Sequence, residues 1–131
     1  MAKITSRIKK ELYQVEITSS SGNVVIADEP IEIGGKDLGF SPKELLASAL
    51  AACTSATLRM YADHKQWDLE EVKLEVELEF NKNENKTVIT RKLELIGNLD
   101  ETQRVRLLKV AESCPVHKML TNTIEINTKV V

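Results

Sequence analysis

Polar and apolar residues alternate most cleanly from Val72 to Phe80, where Val72, Leu74, Val76, Leu78 and Phe80 interleave with Lys73, Glu75, Glu77 and Glu79. A period of two with one charged side predicts a strand with one wet face. Asn81 to Lys86 is a polar turn, and Thr87 to Ile96 is expected to return as the antiparallel partner. An earlier hairpin is predicted where Tyr13, Val15 and Ile17 alternate with Gln14 and Glu16. Ser19-Ser20-Ser21-Gly22-Asn23 supplies its turn, and Val24 to Ala27 resumes the extended pattern. Pro30, Gly34, Gly35 and Gly39 punctuate the loop that follows, and a last strand is expected around Ile124, Ile126 and Val130.

Between the two hairpins the period changes. Ser41 is placed to cap a helix, Pro42 suits its first position, and Glu44 completes a capping box. Helical composition then runs to about Lys65, ~25 residues or ~37 Å at 1.5 Å per residue. Its first half has no polar face wide enough for solvent, and a helix apolar all round must be covered all round. One thin antiparallel sheet covers one side, so a second subunit is expected on the other. Asp100-Glu101-Thr102-Gln103 is a second capping box, opening a helix expected to place Val105, Leu108 and Ala111 on one face. Pro115 ends it, and a short helix from Pro115 to about Asn122 follows. The order of strands, long helix, strands, helices and strand predicts a single α+β domain over residues 1–131.

Composition narrows the function. With 42% apolar and 29% charged residues the chain has the balance of an ordinary globular protein. A net charge of -2 and 4% aromatic residues give a nucleic acid neither attraction nor stacking platforms, and Lys3, Arg7, Lys9 and Lys10 are too few for a basic arm. The N-terminus carries no apolar signal core. The longest apolar stretch, Leu45 to Leu58, is 14 residues interrupted by Ser48, Cys53, Thr54, Ser55 and Thr57. A membrane span needs about 20 mostly apolar residues, so this stretch is read as a buried helix. Two cysteines without a secretion signal imply a reducing compartment, and the expected location is the cytoplasm.

The candidate chemistry lies in those cysteines. Cys53 sits among Ala49, Leu50, Ala52, Ala56 and Thr57, company that suits a small buried core residue; a thiol buried there is inert unless a cation is supplied. Cys114 precedes Pro115 and so becomes the cap of the short helix, with backbone N–H groups beyond the proline and His117 one turn on. Its plainer reading is a half-buried cap. Bringing a thiol from about 8.5 to about 6 takes ~3.4 kcal/mol, and a helix terminus supplies ~0.3–1, at most about 2. A Lys, Arg or protonated His must therefore stand near whichever sulfur reacts. Zinc is not expected, because Cys114 and His117 form the only close ligand pair and Cys53 and His64 lie ~16 Å apart along one helix. Asp28-Glu29 and the Glu-rich strand read as solvated carboxylates.

Ser41-Pro42-Lys43-Glu44-Leu45-Leu46-Ala47-Ser48-Ala49-Leu50-Ala51-Ala52-Cys53 resembles the central-helix motif of the OsmC/Ohr family, which Leu58 to Asp63 continues. Ala111-Glu112-Ser113-Cys114-Pro115-Val116-His117-Lys118 resembles that family's second cysteine motif, and Ile26 to Pro30 also fits. The likeness covers nearly the whole chain. It implies antiparallel sheets packed around two long central helices in an intertwined homodimer; no cofactor and no metal is expected. It also implies a thiol-dependent peroxidase, in which Cys53 attacks an organic hydroperoxide or hydrogen peroxide, Cys114 resolves the product to a disulfide, and an external dithiol regenerates both. Two positions depart from the family's peroxidases: Lys43 stands where they have a glutamate, and no N-terminal arginine can be matched to theirs. Lys43, Glu44 and His117 are the candidates to modulate the pair. The competing readings are a non-catalytic dimeric binding module and a redox sensor without turnover. No nucleic-acid or membrane partner is expected.

Overall fold

In the computed structural model, which describes every residue from Met1 to Val131, the chain forms two units, Met1–Leu46 and Ala47–Val131. The first holds a three-stranded antiparallel sheet of Ile4–Arg7 (β1), Val15–Ser19 (β2) and Val24–Ala27 (β3), in the order β1-β2-β3. The hairpin read from Val15 and Ile17 is present, with Ile17 opposite Val25, but Tyr13 lies outside it. β1 was not legible: Ile4-Thr5-Ser6-Arg7 is exposed throughout and lacks an apolar alternation.

The loop after β3 is organised by Asp28. Its carboxylate is buried and accepts four backbone N–H groups, from Tyr13 and Glu29 on Oδ1 at 3.3 and 2.7 Å and from Lys36 and Leu38 on Oδ2 at 3.3 and 3.2 Å. Burial alone would push this carboxyl up, but the four donors outweigh it and hold it below the ordinary carboxylate range. Asp28 was expected to be a solvated surface carboxylate; the structure corrects this, since a buried carboxylate with four donors is a loop hub. Gly35 is required where the loop folds back on itself, because a Cβ there would lie 1.9 Å from the Glu29 carbonyl oxygen.

The long helix is Pro42–Lys65 (α1). Its capping box forms as read: Ser41 Oγ accepts from the Glu44 N–H at 3.2 Å and Glu44 Oε1 accepts from the Ser41 N–H at 2.9 Å. By length and composition it could cross a membrane, and within the single chain it is covered along one side. Only Leu50, Thr54, Leu58 and Ala62 are buried, a stripe at four-residue spacing, whereas Met60 is 70% exposed.

In the second unit Asp68–Asn81 (β4) and Lys86–Asn98 (β5) pair antiparallel, with Val72, Leu74, Val76 and Leu78 opposite Leu95, Leu93, Arg91 and Ile89. Glu101–Ala111 (α2) follows Asp100, whose capping box with Gln103 is complete. Arg104 ties the connection down by donating to the carbonyls of Leu95, Gly97 and Leu99. The buried face of α2 is Leu107, Val110 and Ala111; Val105 and Leu108, expected inside, are exposed. Periodicity alone admits both faces of this helix, and contact with Leu58, Ala62 and Leu69 selects the one carrying Leu107. Pro115–Thr121 (α3) closes the unit, and the expected last strand is absent: Ile124, Ile126 and Val130 are exposed, non-strand chain.

Replacing the fully buried Leu107 with alanine should cost about 2–5 kcal/mol, read as a lowered denaturation midpoint. Asp28→Ala should strip hydrogen-exchange protection from the amides of Lys36 and Leu38. Because the folded carboxyl is held low, its contribution is complete above the unfolded value of about 3.9 and is lost as pH falls through the folded value. The same amides should therefore lose protection in acid in the unaltered chain.

Candidate functional site

Three elements converge on Cys114. α1 brings Cys53 and Thr54, β5 brings Arg91, and the turn from α2 into α3 brings Cys114 and His117. Cys114 is the N-cap of α3, as Pro115 at the first helical position predicts, and its sulfur accepts from the His117 backbone N–H at 3.4 Å. Thr54 Oγ1 stands 3.7 Å from the same sulfur. The Cys53 thiol stands close enough to act on the same sulfur, so two cysteines sixty-one positions apart in sequence become neighbours. Cys114 is fully buried and Cys53 is half-buried; both are free.

The cation demanded by the energetics of thiolate formation is Arg91. It occupies the inward side of β5, between Ile89 and Leu93, where the alternation would otherwise place an apolar residue. It forms no ion pair. One guanidinium nitrogen donates to Thr54 Oγ1 at 2.9 Å and the other to His117 Nδ1 at 3.0 Å. Burial pushes the Cys114 thiol up. The His117 N–H, the Thr54 hydroxyl, the Cys53 thiol and the Arg91 charge together outweigh that and hold it below the ordinary thiol range.

The other sequence candidates fall elsewhere. Glu44 is committed to the cap of α1, where the Ser41 N–H and hydroxyl lower its carboxyl. Lys43 is exposed in the first turn of the same helix, ten residues before Cys53, a rise of ~15 Å. His117 joins the cluster through both its backbone and its ring. Thr54 and Arg91 were missed. The usable signal was a charged residue at an inward strand position, one register step from Leu93.

A trough of about 500 Å³ opens beside Arg91 and His117, with apolar walls from Leu50, Ile89, Leu93 and Leu120. A larger hollow of about 700 Å³, lined by Arg7, Lys9 and Lys10 among others, lies within the first unit and contains neither cysteine. Neither cysteine lines the smaller trough, but Arg91 and His117 do, and they tie it to the Cys114 cluster.

Fold and site define a small α+β thiol protein whose two cysteines meet in a shell of donors. The family model for OsmC-like proteins matches residues 34–129, and the chain belongs to the OsmC family. No curated protein matches it. Among solved structures it is similar to an osmotic-stress-induced and detoxification-response protein of Psychrobacter arcticus, with a TM-score of 0.79 and 24% identity over 91% of this chain and 88% of that one. It is also similar to an OsmC-like protein of Mycoplasma pneumoniae, with a TM-score of 0.77 and 23% identity over 92% and 86% of the two chains. The organic hydroperoxide resistance protein OhrB of Bacillus subtilis gives a TM-score of 0.64 and 25% identity over 92% and 90%. The resemblance read from the two cysteine motifs is thus upheld at the level of family and fold.

In a Cys53→Ser chain the remaining thiol should show thiolate absorbance near 240 nm at pH values below the ordinary thiol value of about 8.5. Because the folded value is lowered, stability should rise with pH from the folded value up to about 8.5, and denaturant melts across that window should show it.

Proposed function

We propose that the protein is a thiol-dependent peroxidase that reduces organic hydroperoxides or hydrogen peroxide through Cys53 and Cys114. The observation that carries this reading is the meeting of the two sulfurs beside the Arg91 guanidinium. The printed role of the Bacillus subtilis relative, hydroperoxide resistance, supports it. Cys53 as thiolate attacks the terminal peroxide oxygen, breaking the O–O bond, leaving an alkoxide that takes a proton and forming a sulfenic acid. Cys114 thiolate then attacks that sulfur, expels hydroxide and closes the disulfide. An external dithiol returns both sulfurs to thiols by exchange and becomes a disulfide itself. The apolar trough next to Arg91 is where the hydrocarbon part of an organic hydroperoxide would lie.

The working form in this proposal is a homodimer in the reducing cytoplasm. The apolar flanks of α1 outside the Leu50-Thr54-Leu58-Ala62 stripe are left uncovered by the chain itself, and a second copy offers a matching surface.

One equivalent of cumene hydroperoxide should consume two thiols per chain and yield an intramolecular disulfide, measured by thiol titration and non-reducing electrophoresis. Cys53→Ser and Cys114→Ser should each abolish dithiol-dependent turnover. If both thiols stayed titratable in excess hydroperoxide, the peroxidase reading would be abandoned.

A further inference from the structure

Thr54 has one hydroxyl proton and two acceptors competing for it. Its oxygen lies 2.7 Å from the Leu50 carbonyl oxygen and 3.7 Å from Cys114 Sγ, and it already accepts from Arg91 at 2.9 Å. A hydroxyl donates once and accepts twice. When Cys114 is a thiol, its S–H can donate to Thr54 Oγ1 while the hydroxyl proton stays on the Leu50 carbonyl. When Cys114 is a thiolate, the proton swings to the sulfur. The Leu50 carbonyl loses nothing essential, because it lies within α1 and keeps its backbone donor four residues on. Arg91 donates to Thr54 in both states, and drawing electron density from the oxygen makes the hydroxyl a stronger donor. None of this shell reaches outward to solvent through Cys114, which is fully buried, whereas Cys53 is half-buried.

We propose that Arg91, acting through the Thr54 hydroxyl, makes Cys114 the thiolate end of the pair, so that the disulfide opens in one direction, with the incoming reductant bonded to Cys53. The proposal rests on the two-cysteine reading above and adds the site of reductant attack and two positioning residues. In the step, a reductant thiolate attacks Cys53 Sγ, the Cys53–Cys114 bond breaks, and its electron pair leaves on Cys114 Sγ, where the Thr54 hydroxyl and the His117 N–H receive the charge. The reductant's second thiol, losing its proton to water, then attacks the mixed disulfide. Cys53 is released as a thiolate and the reductant leaves as its own disulfide. Exchange is faster when the departing sulfur is the more stable thiolate, and the donors around Cys114 therefore select Cys53 for attack.

The test uses the full chain oxidised with diamide, so that the disulfide is made without any peroxide chemistry. Excess glutathione is added, the reaction is quenched in acid within seconds, free thiols are alkylated with N-ethylmaleimide, and peptides are mapped by mass spectrometry. Glutathione should appear on Cys53, with alkylated Cys114, in about tenfold excess over the opposite isomer. Arg91→Gln and Thr54→Val should each slow opening by roughly tenfold, the scale of one hydrogen bond to a charged group, and should erode the bias. Thr54→Ser should restore both, which a merely structural role for the side chain would not predict. Glutathione on Cys114, an even split, an unchanged bias in both variants, or failure of diamide to form the disulfide would each overturn the proposal. A disulfide that diamide forms but hydroperoxide does not would instead remove the peroxidase reading and leave this one standing.

Discussion

Placing a guanidinium on the inner side of a strand removes part of its hydration, and that loss must be matched by acceptors. Arg91 meets this constraint without a carboxylate, by donating to a threonine hydroxyl on α1 and an imidazole nitrogen on α3. Had an aspartate or glutamate answered it, the positive charge would be neutralised and little of it would reach the neighbouring sulfur. Neutral acceptors leave the charge available. The proximity of α1, β5 and α3 around this arginine is thus both a packing solution and a means of adding its charge to the donors that lower the Cys114 thiol.

Much of the architecture was legible in the sequence, because local physics decides it. The period-two run at Val72 to Phe80, the capping boxes at Ser41 and Asp100, and Pro115 after Cys114 each fix an element with little help from the rest of the chain. Errors fell where tertiary contact decides. Val105 and Leu108 have the same spacing as a buried face, yet the core formed by Leu58, Ala62 and Leu69 selects Leu107 and Val110. Ile124, Ile126 and Val130 alternate like a strand but pair with no strand of the chain. β1 exists only because β2 offers it hydrogen bonds, in a register placing Thr5 opposite Thr18.

The site divides in the same way. Cys53, Cys114 and His117 stood out by motif, and the need for a cation followed from the cost of ionising a thiol. Which cation could not be read, because it depends on strand register: Arg91 lies opposite Val76, and a slip of one residue would turn it to solvent. Lys43 drew attention by standing in a motif, although its distance along α1 separates it from Cys53. Thr54 looked like one polar interruption among several in an apolar helix. Its neighbours give it a meaning that composition does not.

The ring of His117 carries one more consequence. Arginine never accepts a hydrogen bond, so the nitrogen facing Arg91 must offer its lone pair, and the neutral imidazole must carry its hydrogen on Nε2. Held this way, the ring has no free lone pair with which to take a proton from either cysteine. His117 is therefore a poor candidate for the general base that a cysteine–histidine neighbourhood invites one to assign. The Cys114 thiol is lowered by donors that solvate the anion, and a proton leaving it must take a route that bypasses the imidazole.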